Sequence, residues 1–334
     1  MSTFFLISRC IIFSFAFVPF FPKQYRPMLF VILFAFMSVP EALSVMSLQS
    51  FSGDIFSDKK RSTAIAMRNK FSTLFNVITC LILGWTFKSL VKNNSQAVFL
   101  YQICFTVAFL IGLIEIHTFM KLKEITTIQV DKMSFKAISN IFKNKKFKTF
   151  LFCSLIFHFG WQMGWPLFSI YKIKYLNADE MWLTILNVSS NIVMFFSYNY
   201  WNKLIKRRGN TFVIAFATFG MSVTPLLYAV SFNLYVLTLT GIMTGFFTSG
   251  TTTVILSALL EVCPEKNRMF YIGLHATFTN LTLSIAPMVG HTVLEYTSIY
   301  AALGVSAAFR FIGSFAFFIR NKNMSKTQST NITT

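Results

Sequence analysis

The chain of 334 residues is 54% hydrophobic and 12% charged, with a mean hydropathy of +0.60. An ordinary soluble domain carries roughly 25% charged residues, so this composition excludes a water-soluble globular protein. A net charge of +19 would suggest nucleic acid as the partner of a soluble chain, but the basic residues fall in short segments between apolar runs rather than on one face, and no nucleic-acid partner is expected.

Apolar stretches of about 20 residues, the length that crosses a bilayer as a helix, fall at roughly Thr3–Phe21, Met28–Gln49, Ser72–Leu90, Val98–Phe119, Phe150–Tyr171, Met181–Tyr200, Thr211–Val230, Leu234–Val262, Phe270–Val293 and Ile299–Ile319. The sequence thus predicts an all-α polytopic membrane protein of about ten transmembrane helices. Residues 1–21 also have the apolar character of a signal peptide, but no small-residue cleavage site follows. Cys10, Cys80, Cys104, Cys153 and Cys263 form no C-x-x-C pair and lie mostly within apolar runs, so neither a disulfide framework nor a metal site is expected.

The one long polar stretch is Lys121–Lys148, with Lys121, Lys123, Lys132, Lys136, Lys143, Lys145, Lys146 and Lys148 against only Glu124 and Asp131. It divides the chain into an N-terminal bundle of about four spans (1–120), a basic linker (121–148), a six-helix bundle (149–321) and a polar tail (322–334). Most of the 30 Lys and Arg residues lie on the linker's side of the membrane, between Lys59 and Lys70, at Lys203–Arg208, at Lys266 and Arg268, and after Ile319. By the positive-inside rule both termini and the linker face the cytoplasm, in the cytoplasmic membrane of a prokaryote.

An internal repeat is visible in two loops on that side. Asp58-Lys59-Lys60-Arg61 precedes the third span and Glu265-Lys266-Asn267-Arg268 precedes the ninth, both reading acid-Lys-x-Arg. Within its own half the second copy has four spans before it and two after, whereas the first copy has two before it and two after. If the halves are equivalent six-helix units, the first two helices of the first half are expected to be absent from this chain.

Six spans after a long basic loop, with charged loops at equivalent places, resemble the major facilitator superfamily of transporters. One stretch carries the resemblance at residue level: Trp201-Asn202-Lys203-Leu204-Ile205-Lys206-Arg207-Arg208-Gly209-Asn210 is similar to the family's G-x-x-x-D-R-x-G-R signature between helices two and three of a half. Arg207 and Gly209 match, whereas Asn202 stands at the first glycine and Lys206 at the aspartate. In the family that aspartate takes part in charge interactions that close the cytoplasmic gate, and Lys206 reverses its sign. The helix-four R-x-x-x-G-x-x-x-G pattern has no counterpart in Met28–Gln49, and Ser72–Leu90 has only Gly84 in place of the glycine-rich helix-five pattern of drug–proton antiporters. The resemblance implies two pseudo-two-fold related bundles of four and six helices.

Ionisable and polar residues inside the spans are the candidate site, because a charge at mid-bilayer costs about 2.5–3.5 kcal/mol on insertion scales. Glu41 lies within the second span with Ser38 and Ser44, either as a proton- or substrate-binding carboxylate or bonded to a neighbouring helix. Polar faces at helical spacing run through Asn69, Thr73, Asn76 and Cys80; His158, Trp161, Gln162, Trp165 and Ser169; Thr184, Asn187, Asn191, Met194 and Tyr198; and His275, Thr279, Asn280 and Thr282. Turned inward together they would line a solute cavity. Taken singly, each is better explained by interhelical hydrogen bonding. Arg61, Lys206, Arg207, Gly209 and Arg268 are the expected cytoplasmic gate residues. Gly241, Gly245 and Ser249 form a ridge for close packing, Pro225 and Pro287 are candidate kinks, and Arg310 is expected to pair with Glu115 or Glu295.

Three readings follow. One is secondary transport of a small solute by alternating access, driven by a proton or ion gradient or by the solute's own, with no cofactor and as a monomer. The second is a truncated, non-transporting remnant of such a protein. The third, a membrane-embedded enzyme, would need clustered His, Asp or Glu at one interface, which the sequence lacks. The amide- and hydroxyl-rich faces favour neutral polar or amphipathic solutes.

Overall fold

The computed structural model describes residues 2–121, 141–265 and 267–332. Most of the basic linker (122–140) and Lys266 lie outside the described residues. The described chain is helical almost throughout: α1 Ser2–Ser14, α2 Arg26–Ile55, α3 Asp58–Leu90, α4 Asn94–Met120, α5 Lys145–Ile170, α6 Glu180–Val230, α7 Leu234–Val262, α8 Arg268–Tyr296 and α9 Ile299–Ile332. Four of them begin at an Asx cap. Asn93, Asn144, Asp179 and Asn233 accept hydrogen bonds from the backbone N–H of Gln96, Phe147, Trp182 and Val236, satisfying donors that the first turn leaves open.

Ten spans result because α6 is two helices end to end. Gly209, at φ 78° and ψ 163°, is the one non-helical residue inside its 51, in a region of backbone space open essentially to glycine alone. The first span also departs from a single helix. After Ser14 the chain tightens into a 3₁₀ turn, Phe15–Phe20, around Pro19, whose ring supplies no N–H to an α-helical ladder.

Seven of the described helices, with α6 as one, are long and apolar enough to cross a membrane. Helices α5 and α8, of 26 and 29 residues, match the span length but are less apolar, because they carry His158 and Gln162, and His275, Thr279 and Asn280.

Two compact units can be distinguished, the first holding Met1–Ile55 and the part of α3 from Ile78, the second holding Phe56–Val77 and α5 to α9. In the first unit α1 lies against α2 and α4, and stacked or tilted phenylalanines join them, Phe13 to Phe109 and Phe15 to Phe30 and Phe105.

The second unit is tighter. Its core includes the fully buried Phe147, Phe150, Phe157, Met163, Trp201 and Phe317. Glycines let backbones meet: a Cβ at Gly160 would lie 2.7 Å from the Arg310 nitrogen, and one at Gly313 would lie 2.6 Å from the Phe157 Cα. Helices α5 and α9 are therefore in backbone contact, the small-residue packing that lipid-embedded bundles favour.

Candidate functional site

The polar residues of α5 and α8 meet inside the second unit. Gln162 is buried and spends both ends of its amide on α8, with Nε2 donating to the Thr279 carbonyl at 3.1 Å and Oε1 accepting from the Thr282 hydroxyl at 2.6 Å. About two helical turns earlier, the Ser154 hydroxyl lies 3.1 Å from His158 Nδ1 and 2.9 Å from His275 Nε2. His158 Nδ1 also reaches the Ser154 carbonyl at 2.8 Å. With that nitrogen donating, the hydroxyl proton is left for His275 Nε2, and one serine bridges two histidines on different helices. Aromatic rings continue the face, His158 to Trp161 at 5.6 Å and Trp161 to Trp165 at 6.4 Å between centroids.

Of the expected site residues, His158, Gln162, Trp165 and His275 thus share one face. Asn280 is exposed on α8 and Asn76 on α3. Asn187 and Asn191 form a separate pair, Asn191 Nδ2 donating to Asn187 Oδ1 at 2.8 Å. Lower on α6, Tyr198 is buried against Thr73 at 3.3 Å.

Glu41 belongs to the first unit and is not alone. It accepts from the Ser8 hydroxyl and lies 3.5 Å from Arg9 Nη1, while Arg9 Nη2 donates to Glu115 at 3.0 Å. Helices α1, α2 and α4 are tied by one cation between two carboxylates.

The expected partner of Arg310 is corrected. Glu115 pairs with Arg9, and Glu295 with His291 at 3.2 Å. Arg310, fully buried, instead donates to three backbone carbonyls: Nε to Gly160 at 3.1 Å, Nη1 to Met221 at 3.1 Å and Nη2 to Trp161 at 3.2 Å. The Met221 carbonyl is available because the residue four positions on is Pro225, which has no N–H to give it.

Around the Gly209 break within α6 the family-like stretch uses its departures. Asn202, at the signature's first glycine, accepts from the Ser62 and Thr63 hydroxyls at 3.1 and 3.3 Å. Asn210 Nδ2 donates to Glu261 at 2.6 Å. Lys206 and Arg207 are exposed. The arginines of the two repeat motifs, Arg61 and Arg268, are both buried. Between the α7 and α8 spans, burial pushes the Cys263 thiol up to about 12, and Arg268 and Arg61 pull in the other direction. The two copies sit differently: Arg61 is in the first turn of α3, while Arg268 opens α8 after Asn267 at φ 64°.

Sequence reasoning missed the Gly160–Gly164 pair, whose four-residue spacing was the available signal. It also missed a cavity of about 320 Å³ lined by Lys172, Asn187, Ser190 and Tyr228 among others. Among the described residues, no cluster of His, Cys, Asp or Glu is arranged to hold a metal ion.

The sequence pattern of the Major Facilitator Superfamily matches residues 150–332. No curated protein sequence matches the chain. Among solved structures, the E. coli fucose:proton symporter FucP is similar with a TM-score of 0.75 and 13% identity, over 96% of this chain and 83% of that one. The human organic anion transporter MFSD10 gives 0.72 and 12%, over 94% and 76%. A bacterial homologue of the iron transporter ferroportin, in an outward-facing state, gives 0.70 and 12%, over 96% and 82%.

Proposed function

Because the chain belongs to the major facilitator superfamily, we propose that it moves a small, neutral polar or amphipathic solute across the cytoplasmic membrane by alternating access. Sugars, nucleosides and drug-like molecules are the solute classes of this chemistry. The structural neighbours include a fucose:proton symporter and an organic anion transporter on one fold, so the fold does not choose among solutes.

The observation that supports the reading is the α5–α8 face. Two helices give up apolar character to hold a glutamine, two histidines, a serine and two threonines in two hydrogen-bonded groups, with Trp161 and Trp165 beside them. Amides and hydroxyls recognise a solute's hydroxyls, and indole rings cover its apolar face. In this proposal His158, Gln162, Trp165 and His275 contact solute, with Asn187, Asn191, Asn280 and Asn76 as further cavity residues. Glu41 is the carboxylate coupled to a proton gradient. Arg61, Lys206, Arg207, Gly209 and Arg268 serve the cytoplasmic gate, both termini are cytoplasmic, and the transporter works as a monomer.

Counterflow in proteoliposomes, with radiolabelled sugars, nucleosides and a cationic dye as a drug-like probe, tests the proposal. Wild type should exchange at least one of these, and Gln162→Ala and His275→Ala should each slow that exchange at least tenfold at equal incorporation. Wild-type rates in both variants would remove the α5–α8 face from the pathway. An absence of counterflow for the whole panel would overturn the solute class.

A further inference from the structure

The cavity noted above lies wholly within the second unit, apart from the α5–α8 network. It lies where the contact between the small-residue ridge of α7 and helix α6 loosens along its length. At Gly245 the helices α6 and α7 touch, and a Cβ there would lie 2.5 Å from the Ser190 carbonyl oxygen. One turn away, at Gly241, the nearest atom to such a Cβ is the Leu186 carbonyl, at 4.0 Å. The gap that opens holds about 320 Å³, at the small end of the roughly 300–1,000 Å³ of ligand sites. Its inner wall is continuous with a buried apolar cluster that includes Leu186, Tyr228 and Leu237.

One cation enters the cavity. After α5 the chain makes a π turn, Tyr171–Tyr175, an irregularity frequent at functional sites. Three bonds hold that turn: Leu176 N–H to the Tyr171 carbonyl at 3.1 Å, Ala178 N–H to the Lys172 carbonyl at 2.9 Å, and the Tyr171 hydroxyl to the Ser231 carbonyl at 3.0 Å. Lys172 is held half-buried, its ammonium 5.9 Å from the centre of the Tyr228 ring. Among the described residues no carboxylate pairs with it, and no acid lines the cavity. Burial pulls this ammonium below its usual value, the mark of a charge left without compensation.

The remaining polar lining also offers donors. Asn187 spends Oδ1 on Asn191, which leaves its Nδ2 protons. The Ser190 hydroxyl has no hydrogen-bond partner among the described residues, while Thr244 donates to its own helix at Thr240. An ammonium, an amide N–H and a hydroxyl line a cavity whose other walls are leucines, Tyr228, Gly241 and Thr244.

We propose that this cavity is a binding site for a small organic anion, a carboxylate on a short apolar or aromatic body. The carboxylate is held by Lys172, Asn187 and Ser190, and the body rests on Tyr228 and the leucines. The site is complete within one unit, so its occupancy does not require the transport reading to hold.

Benzoate is a suitable probe, with benzamide as its uncharged counterpart. The purified protein in phosphatidylcholine nanodiscs is acetylated with an N-hydroxysuccinimide ester, and each lysine is followed by peptide mass spectrometry. Benzoate should slow acetylation of Lys172 at least fivefold while leaving the exposed Lys174 unchanged, and benzamide should not. No protection by millimolar benzoate, or equal protection by benzamide, overturns the proposal. Gly241→Leu, whose side chain fills the gap, should abolish the protection, and protection that survives it overturns the proposed location. If that variant does not fold, Asn187→Ala replaces it: a benzoate concentration dependence shifted at least tenfold supports the site, and an unshifted one refutes it.

Discussion

Arg310 and Pro225 should be energetically coupled although they lie on different helices. Pro225 deprives the Met221 carbonyl of its helical donor, and Arg310 Nη1 supplies one at 3.1 Å. The other two acceptors are less dependent on Arg310. The Gly160 carbonyl also receives the Ser306 hydroxyl at 2.8 Å, and both Gly160 and Trp161 lie inside α5, whose N–H groups serve them. Arg310→Met keeps the bulk and removes the donors, so the group stranded in hydrocarbon is Met221, at a cost of about 1–3 kcal/mol. Pro225→Ala returns an N–H to that carbonyl and should relieve most of the cost. Removing the guanidinium also returns its own desolvation energy, but that contribution is common to both backgrounds and cancels in a double-mutant cycle. The four proteins, unfolded by SDS titration in mixed micelles, should show a coupling of about 1 kcal/mol or more, with Pro225→Ala far less harmful beside Arg310→Met than alone. Effects that add within about 0.5 kcal/mol would refute the reasoning.

Two further outcomes are expected. Gly209→Ala forces a Cβ into φ 78°, ψ 163° and should lower stability by about 1–3 kcal/mol in the same titration; an unchanged midpoint would mean that the bend is not obligatory. Glu41→Gln should abolish the pH dependence of solute uptake while leaving membrane insertion intact, and an unaltered pH profile in proteoliposomes would remove Glu41 as the coupling group.

Much of the fold was legible because bilayer thickness and backbone hydrogen bonding leave few choices. Ten spans could be placed by length alone, and Gly209 stood where the family-like stretch requires a break. What pattern could not supply was which residues meet. The pairing of Arg310 with a carboxylate seemed natural for a buried cation, yet a proline on another helix had freed a carbonyl that serves as well. Gly241 and Gly245 are alike in sequence, but one faces a neighbouring backbone and the other an opening, a difference set by how α6 diverges from α7. The site fared similarly. His158, Gln162 and His275 lay on predicted polar faces and do converge, whereas Ser154, which joins the histidines, fell outside the predicted face although it sits one turn before His158. Asn280 shared the face of α8 by periodicity but is exposed there.

The low hydropathy of α5 and α8 bears on how the protein is made. A helix leaving the translocon is sorted by its own oiliness, and polar groups such as Gln162 and His275 weigh against release into lipid. Each conceals the other's polar face, yet α8 is synthesised about 100 residues after α5. At about 5–20 residues per second, α5 waits some 5–20 s for the helix that satisfies its glutamine. During that interval it must be sheltered by the translocon or an insertion chaperone, so cells short of such help should lose this protein at the stage of assembly rather than of folding in the finished membrane.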